Sequence, residues 1–165
     1  MKKKTKKLGV IVPYRNRRTH LQEFIPSVSN YLNKQGIKYE IIVVEQSDDK
    51  AFNRGKLLNI GVQKALSLKC DYVALHDVDM LPLDVDYSYV NRPTHLATDF
   101  VSDEGEKRVI FDSYFGGVTL FPIVDYYKVN GYSNDYWGWG YEDDDILFRC
   151  KENFFDLNLK HQPIK

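Results

Sequence analysis

His76-Asp77-Val78-Asp79 sets two carboxylates one residue apart, directly after an apolar run. Residues i and i+2 of an extended segment project to the same side, so both acids face one space. Like charges this close raise each other's pKa unless a cation intervenes. A hard divalent ion such as Mg²⁺ or Mn²⁺, with open positions for phosphate oxygens, is one resolution, and a solvated turn is the other. A second acidic group, Glu142-Asp143-Asp144-Asp145, opens a predicted helix. Carboxylates there complement the helix dipole by about 0.3 to 1 kcal/mol each and need no further role. Immediately before them, Tyr136-Trp137-Gly138-Trp139-Gly140 places tryptophans between glycines, a poor core but a good platform for stacking on a sugar. Arg15, Arg17 and Arg18 follow the first apolar run, and Arg54 begins the second predicted helix. Guanidinium groups suit bidentate phosphate contact, with a solvated basic loop as the alternative. Phe52 offers an apolar face to a base or ribose beside Arg54.

These groups need elements to position them. Leu8 to Val12 reads as a buried strand closed by Pro13, His20 to Gln35 as a helix with Pro26 inside it, and Tyr39 to Glu45 as a second buried strand. Arg54 to Leu68 and Tyr72 to Leu75 repeat the helix and strand. Strand, helix, strand, helix, strand predicts a parallel sheet, whose ligand crevice lies beyond the carboxyl ends of the strands. The loops after Val12, Val44 and Leu75 are therefore expected to share one site. Asp84 to Arg108 reads as loop-rich, and Val109 to Phe121 resumes strand character. Gly116-Gly117 interrupts it as a bulge or a close backbone approach. Pro122 to Asn130 and Glu142 to Asn153 read as helices.

The 165 residues suit one domain with its own core. Lys plus Arg and Asp plus Glu are 23 each, so no net charge recruits nucleic acid or an anionic membrane. Most of residues 1–7 are lysines, expected to form a disordered basic tail, which leaves the body acidic. No apolar run is long enough for a transmembrane segment or a signal-peptide core, so a cytoplasmic location is expected. Cys70 and Cys150, with no metal-ligand spacing, read as buried free thiols. The 14% aromatic content fits either surface platforms or an aromatic core.

Five blocks in order, VPYRNR (Val12 to Arg17), FNRGKLLNIG (Phe52 to Gly61), HDVDMLPLD (His76 to Asp84), YFGGV (Tyr114 to Val118) and NGYSNDYWGWGYEDDD (Asn130 to Asp145), carry a resemblance to a known family. The sequence resembles the β-1,4-galactosyltransferases, inverting, metal-dependent glycosyltransferases. The resemblance implies an α/β GT-A fold, Rossmann-like, with a mostly parallel sheet flanked by helices. It also implies transfer of galactose or a related hexose from a UDP-sugar to a glycan or glycoside acceptor, with Mn²⁺ or Mg²⁺ as cofactor. Donor-site roles then fall to Arg15, Arg17, Phe52, Arg54, Asp77, Val78, Asp79, Trp139 and Glu142, with Asp79 as metal ligand. Acceptor roles fall to Tyr114, Gly117, Trp139 and Asp144, and the catalytic base is Asp143. Tyr114 is expected to crowd an N-acetyl group and favour unsubstituted galactose.

Tyr141 stands where the family has glycine or arginine. Family members continue through a mobile loop to further metal ligands, including a histidine, and this chain stops at Lys165, as if truncated. His161 is the candidate replacement. A UDP-sugar or glycan binding module with weak turnover is the alternative function, and a two-metal phosphodiesterase or nuclease would leave the Trp-Gly block without a role. His20 is expected at a helix start, His95 in a structural position, and His76 beneath the Asp77 to Asp79 turn.

Overall fold

The computed structural model describes residues 5–102, 105–109, 114–154 and 158–164, with the backbone alone for 98–100, 107–109 and 158–164. The chain runs β1 (Lys7–Tyr14), α1 (Arg18–Lys34), β2 (Lys38–Glu45), α2 (Arg54–Ser67), β3 (Tyr72–His76), β4 (Thr94–Val101) and β5 (Lys107–Val109). It continues through β6 (Val118–Pro122), α3 (Ile123–Lys128), α4 (Glu142–Asn153) and β7 (Asn158–Ile164). The strands form one sheet in the order β2-β1-β3-β6-β4-β5, and β7 also pairs with β4.

β1 and β3 are apolar throughout because both of their faces are covered. Val10 and Val12 of β1, with Tyr72 and Ala74 of β3, pack against Phe24, Val28 and Leu32 of α1. Ile11, Val73 and Leu75 point the other way, against Leu58, Val62 and Ala65 of α2 and Ile146 and Leu147 of α4. Helix α2 lies so close to β1 that a Cβ on Gly61 would stand 2.1 Å from Ile11 Cγ2, so only glycine fits there. Cys70 and Cys150 are buried and free, and burial pushes the Cys150 thiol up to about 12.

Several expectations are corrected. The expected disordered tail of residues 1–7 is too long, since Lys7 opens β1, bonds Asp71 through its backbone and pairs with Glu40 at 2.8 Å. Pro13 does not close the first strand. It pairs with Val44 beyond the last β1–β3 partners, Ile11 and Leu75, where one side of β1 has no ladder and a missing N–H is tolerated. β2 is an edge strand rather than a buried one, and only Ile42 in it is buried. The parallel part of the sheet is β2-β1-β3 together with the β4–β7 pair, whereas β6 joins β3 and β4 antiparallel and β5 joins β4 antiparallel. β4 lies within the stretch read as loop. Among the described residues no helix is long and apolar enough to cross a membrane.

Candidate active site

The carboxyl ends of β1 and β3, the start of α2 and the start of α4 surround a cavity of about 860 Å³. Its walls come from Pro13 near the end of β1, Arg15 and Arg17 after it, Phe52 and Arg54 at α2, Asp77 to Asp79 after β3, Tyr114 and Phe115, and Gly138 to Asp144. From the loop after β2, Phe52 lines it and the neighbouring residues support it. Gln46 accepts from the Asn53 backbone N–H at 2.8 Å, and Asn53 caps α2 by accepting from Lys56 N–H at 2.9 Å. The Asn53 amide also donates to the Asn134 carbonyl at 2.7 Å, and Gly138 N–H donates to the Phe52 carbonyl at 2.8 Å. These bonds tie the tryptophan block to the start of α2.

At one end of the cavity the Arg15 guanidinium lies 5.4 Å from the Phe52 ring centre and donates to the Lys50 carbonyl at 2.7 Å. The other end is acidic. Arg54 donates from Nε to Asp77 Oδ1 at 2.7 Å and from Nη1 to Asp143 Oδ1 at 2.9 Å. Desolvation works against the Arg54 charge, but the two carboxylates outweigh it and hold the guanidinium firmly protonated. Burial pushes the Asp77 carboxyl up despite the opposing pull of Arg54, and burial followed by the charge of Asp143 pushes Glu142 up.

The acids that open α4 divide their work. Glu142 is buried, Asp143 meets Arg54, Asp144 is exposed, and Asp145 binds Arg149 one turn on at 2.5 Å. They follow Tyr141, whose φ of 71° is left-handed. Gly116 faces Asp143 so closely that a Cβ there would stand 2.3 Å from Oδ2. Beneath the turn, His76 is buried, with Nδ1 2.9 Å from the Asp77 carbonyl and Nε2 2.8 Å from the Tyr87 hydroxyl.

Two family models divide the chain between them. The N-terminal region of glycosyl transferase group 7 matches residues 2–92, and the N-terminal domain of galactosyltransferase matches residues 98–161. The chain belongs to the β-1,4-galactosyltransferase family. A xylosylprotein 4-beta-galactosyltransferase of Caenorhabditis elegans is 37% identical over 92% of this chain and 52% of its own length. Human beta-1,4-galactosyltransferase 4 is 39% identical over 90% of this chain and 44% of its own. The catalytic domain of Drosophila beta1,4-galactosyltransferase 7, solved with xylobiose, superposes with a TM-score of 0.82 at 34% identity, covering 96% of this chain and 65% of that one. A mutant of the Drosophila enzyme, solved with manganese, UDP-Gal and xylobiose, gives 0.80 at 33% identity. The fold is therefore GT-A, and the chain spans about half the length of the curated relatives it matches.

On this β-1,4-galactosyltransferase framework, twelve of the thirteen residues expected at the site line one cavity. The exception is Gly117, which lies behind Tyr114 with φ 71° and accepts at its carbonyl from Asp77 N–H. The tryptophan pair separates. Trp139 is fully exposed on the cavity rim, while Trp137 is half-exposed against Lys50 outside it. His95 is buried with Nε2 2.8 Å from the Gly116 carbonyl, and His20 sits in the first turn of α1. His161 lies outside the residues whose side chains are described. Among the described residues no three His, Cys, Asp or Glu side chains cluster as a metal cage. Sequence reasoning missed Tyr132, whose hydroxyl meets Asp143 at 2.8 Å. It lies inside a family block, but no spacing rule singles it out.

Proposed function

We propose that this cavity is the site of an inverting galactosyl transfer from UDP-galactose to a hydroxyl of a sugar acceptor. In this reading Phe52 and the Arg15 and Arg17 guanidinium groups take the nucleotide, Arg54 offers Nη2 to the diphosphate, and Asp77 and Val78 border the ribose. Glu142 holds hydroxyls of the transferred sugar, and Tyr114, Trp139 and Asp144 bound the acceptor, with Gly117 behind Tyr114. The acceptor oxygen bonds to the anomeric carbon as the bond to diphosphate breaks, UDP departs, and the acceptor proton passes to Asp143. Tyr114 beside this point favours unsubstituted galactose.

The donor set suits a divalent cation held in part by protein. Asp79 is exposed and makes no hydrogen bond or ion pair among the described residues, whereas Asp77 is engaged by Arg54. Mg²⁺ and Mn²⁺ sites of this kind use one or two carboxylates and substrate phosphates. When bound, the cation supplies charge neutralisation at the departing diphosphate.

The observation that carries this reading is the single cavity joining the Arg15–Phe52 clamp, the free carboxylate of Asp79 and the Asp143 carboxylate over Gly116. The likeness to a galactosyltransferase solved with manganese, UDP-Gal and xylobiose supports it. Titrating UDP-galactose with and without Mn²⁺, then measuring UDP release with a panel of sugar acceptors, tests it. Metal-dependent binding with acceptor-dependent release is expected. Binding without release gives a nucleotide-sugar binding module instead, and no binding removes the proposal.

A further inference from the structure

Tyr132 is buried behind the acidic end of the cavity and reaches its residues from outside α4. Its phenol donates to Asp143 Oδ1 at 2.8 Å, the same oxygen that accepts from Arg54 Nη1 at 2.9 Å. Its ring also lies 5.7 Å from the Arg54 guanidinium carbon, so hydroxyl and ring each meet a partner of the same site. The two donors therefore converge on one oxygen of the carboxylate. The other, Oδ2, points toward Gly116, where even a methyl group would collide with it.

The backbone that delivers Tyr132 is tightly held. Asn59 of α2 accepts at Oδ1 from Tyr132 N–H at 3.0 Å and donates from Nδ2 to its carbonyl at 2.8 Å. The Tyr126 hydroxyl donates to the same Asn59 Oδ1 at 2.6 Å. Asn130 and Gly131 lead in with φ of 63° and 59°, and a Cβ on Gly131 would come 2.7 Å from Asn59 Oδ1. Glycine lets the asparagine close on the chain. Burial, and next the charge of Asp143, pushes the Tyr132 phenol well above its ordinary value, so it stays a proton donor.

We propose that Tyr132 is a positioning residue: with Arg54 it fixes Oδ1 of Asp143, so that Oδ2 alone is presented over Gly116 to take the acceptor proton. This rests on the galactosyl-transfer reading. The arrangement removes the rotational freedom by which a carboxylate would exchange its oxygens, which is how a supporting hydrogen bond preorganises a base.

Tyr132→Phe keeps the ring beside the Arg54 guanidinium and deletes the hydroxyl, with its 2.8 Å bond to Asp143 and the long 3.5 Å contact it accepts from Arg54 Nη1. Crystal structures of both forms read the carboxylate directly. The expected variant has Asp143 turned about its side chain, with kcat lower by about ten- to a hundredfold, the usual range for losing a bond to a charged group. The KM for UDP-galactose should stay within about twofold, a split that a general loss of folded protein does not give. In an Asp143→Asn background the same substitution should cost nothing further in kcat. An Asp143 carboxylate that keeps its orientation overturns the proposal whether or not sugar is transferred, as do independent losses in the double variant. A wild-type chain that transfers nothing, while the carboxylate still turns in the variant, overturns the galactosyl-transfer reading and supports the hold on Asp143.

Discussion

Arg54, Asp77, Asp143 and Tyr132 meet through hydrogen bonds of 2.7 to 2.9 Å at one end of the cavity, whereas the rim is lined by the fully exposed Trp139, the exposed Tyr141 and the exposed Asp144. Each member of the first group is placed by at least one other. Breaking one partner of such a network leaves a partly buried charge uncompensated, so its geometry is resistant to change. The rim side chains instead keep their rotamer freedom until something covers them, and ordering them costs binding energy. Preorganisation is concentrated where a proton would move, and adaptability where a sugar of variable identity would dock.

The sharpest test of the pinned end is Asp143→Asn, which keeps the shape and one acceptor oxygen for Arg54 and Tyr132 but replaces the other oxygen with an amide that cannot take a proton. Transfer should fall by about 10² to 10⁴. UDP-galactose binding, followed by calorimetry, should persist because the Arg15–Phe52 end is untouched. A variant that retains most of its rate would place the base elsewhere. Gly116→Ala attacks the same point from across the cavity. The added methyl would stand 2.3 Å from Asp143 Oδ2 and 2.9 Å from the Tyr114 ring, so carboxylate or ring must move. A loss of about 10² in kcat is expected. Overpacking would cost about 1 to 3 kcal/mol of stability, measured separately by denaturation.

The floor of that end is sensitive to acid. His76 lies wholly buried between the Asp77 carbonyl and the Tyr87 hydroxyl, and burial lowers its pKa to about 4. Between the ordinary value and 4, the unfolded chain binds a proton at this position that the folded chain does not. Stability therefore rises with pH across this window and is lost as pH falls from about 6.5 toward 4. The full effect is about 3 kcal/mol. Urea denaturation at pH 7 and pH 4.5 should show the loss in the wild type and a smaller one in His76→Gln. Equal losses would assign the acid sensitivity to other groups.

The same contrast explains what was legible in the sequence. β1 and β3 are covered on both faces, and their unbroken apolar runs say so. β2 carries an equally apolar run, Ile41 to Val44, yet forms the edge, because a run reports β propensity and not the number of neighbours. β4 was hidden by Thr94 and His95, polar residues that are buried, and β7 by the polar, proline-containing NLKHQPI. In the site, the i, i+2 spacing of Asp77 and Asp79 and the cluster at Glu142 to Asp145 were visible as local patterns. Tyr132 was not, because its position depends on two left-handed residues and on Asn59 from a distant helix. Trp137 and Trp139 look alike in sequence, and only the turn between them sends one to the cavity rim.

The smallest expected effect belongs to the rim. Trp139 is fully exposed, and such a ring contributes little to a folded core. Trp139→Ala should leave stability within about 0.5 kcal/mol of the wild type, the usual range for surface substitutions. A stacking contact with a sugar face is comparable to other aromatic contacts at about 0.5 to 1.5 kcal/mol, so the acceptor KM should rise by no more than about tenfold. The kcat at saturating acceptor should change less, because Asp143 keeps both donors on Oδ1. Trp139→Phe should recover most of the loss. A melting temperature lowered by several degrees would show that the indole packs against the body of the protein. A kcat that falls as far as in Asp143→Asn would mean that the rim, too, helps set the geometry of the reaction, and the division between a fixed end and an adaptable end would fail.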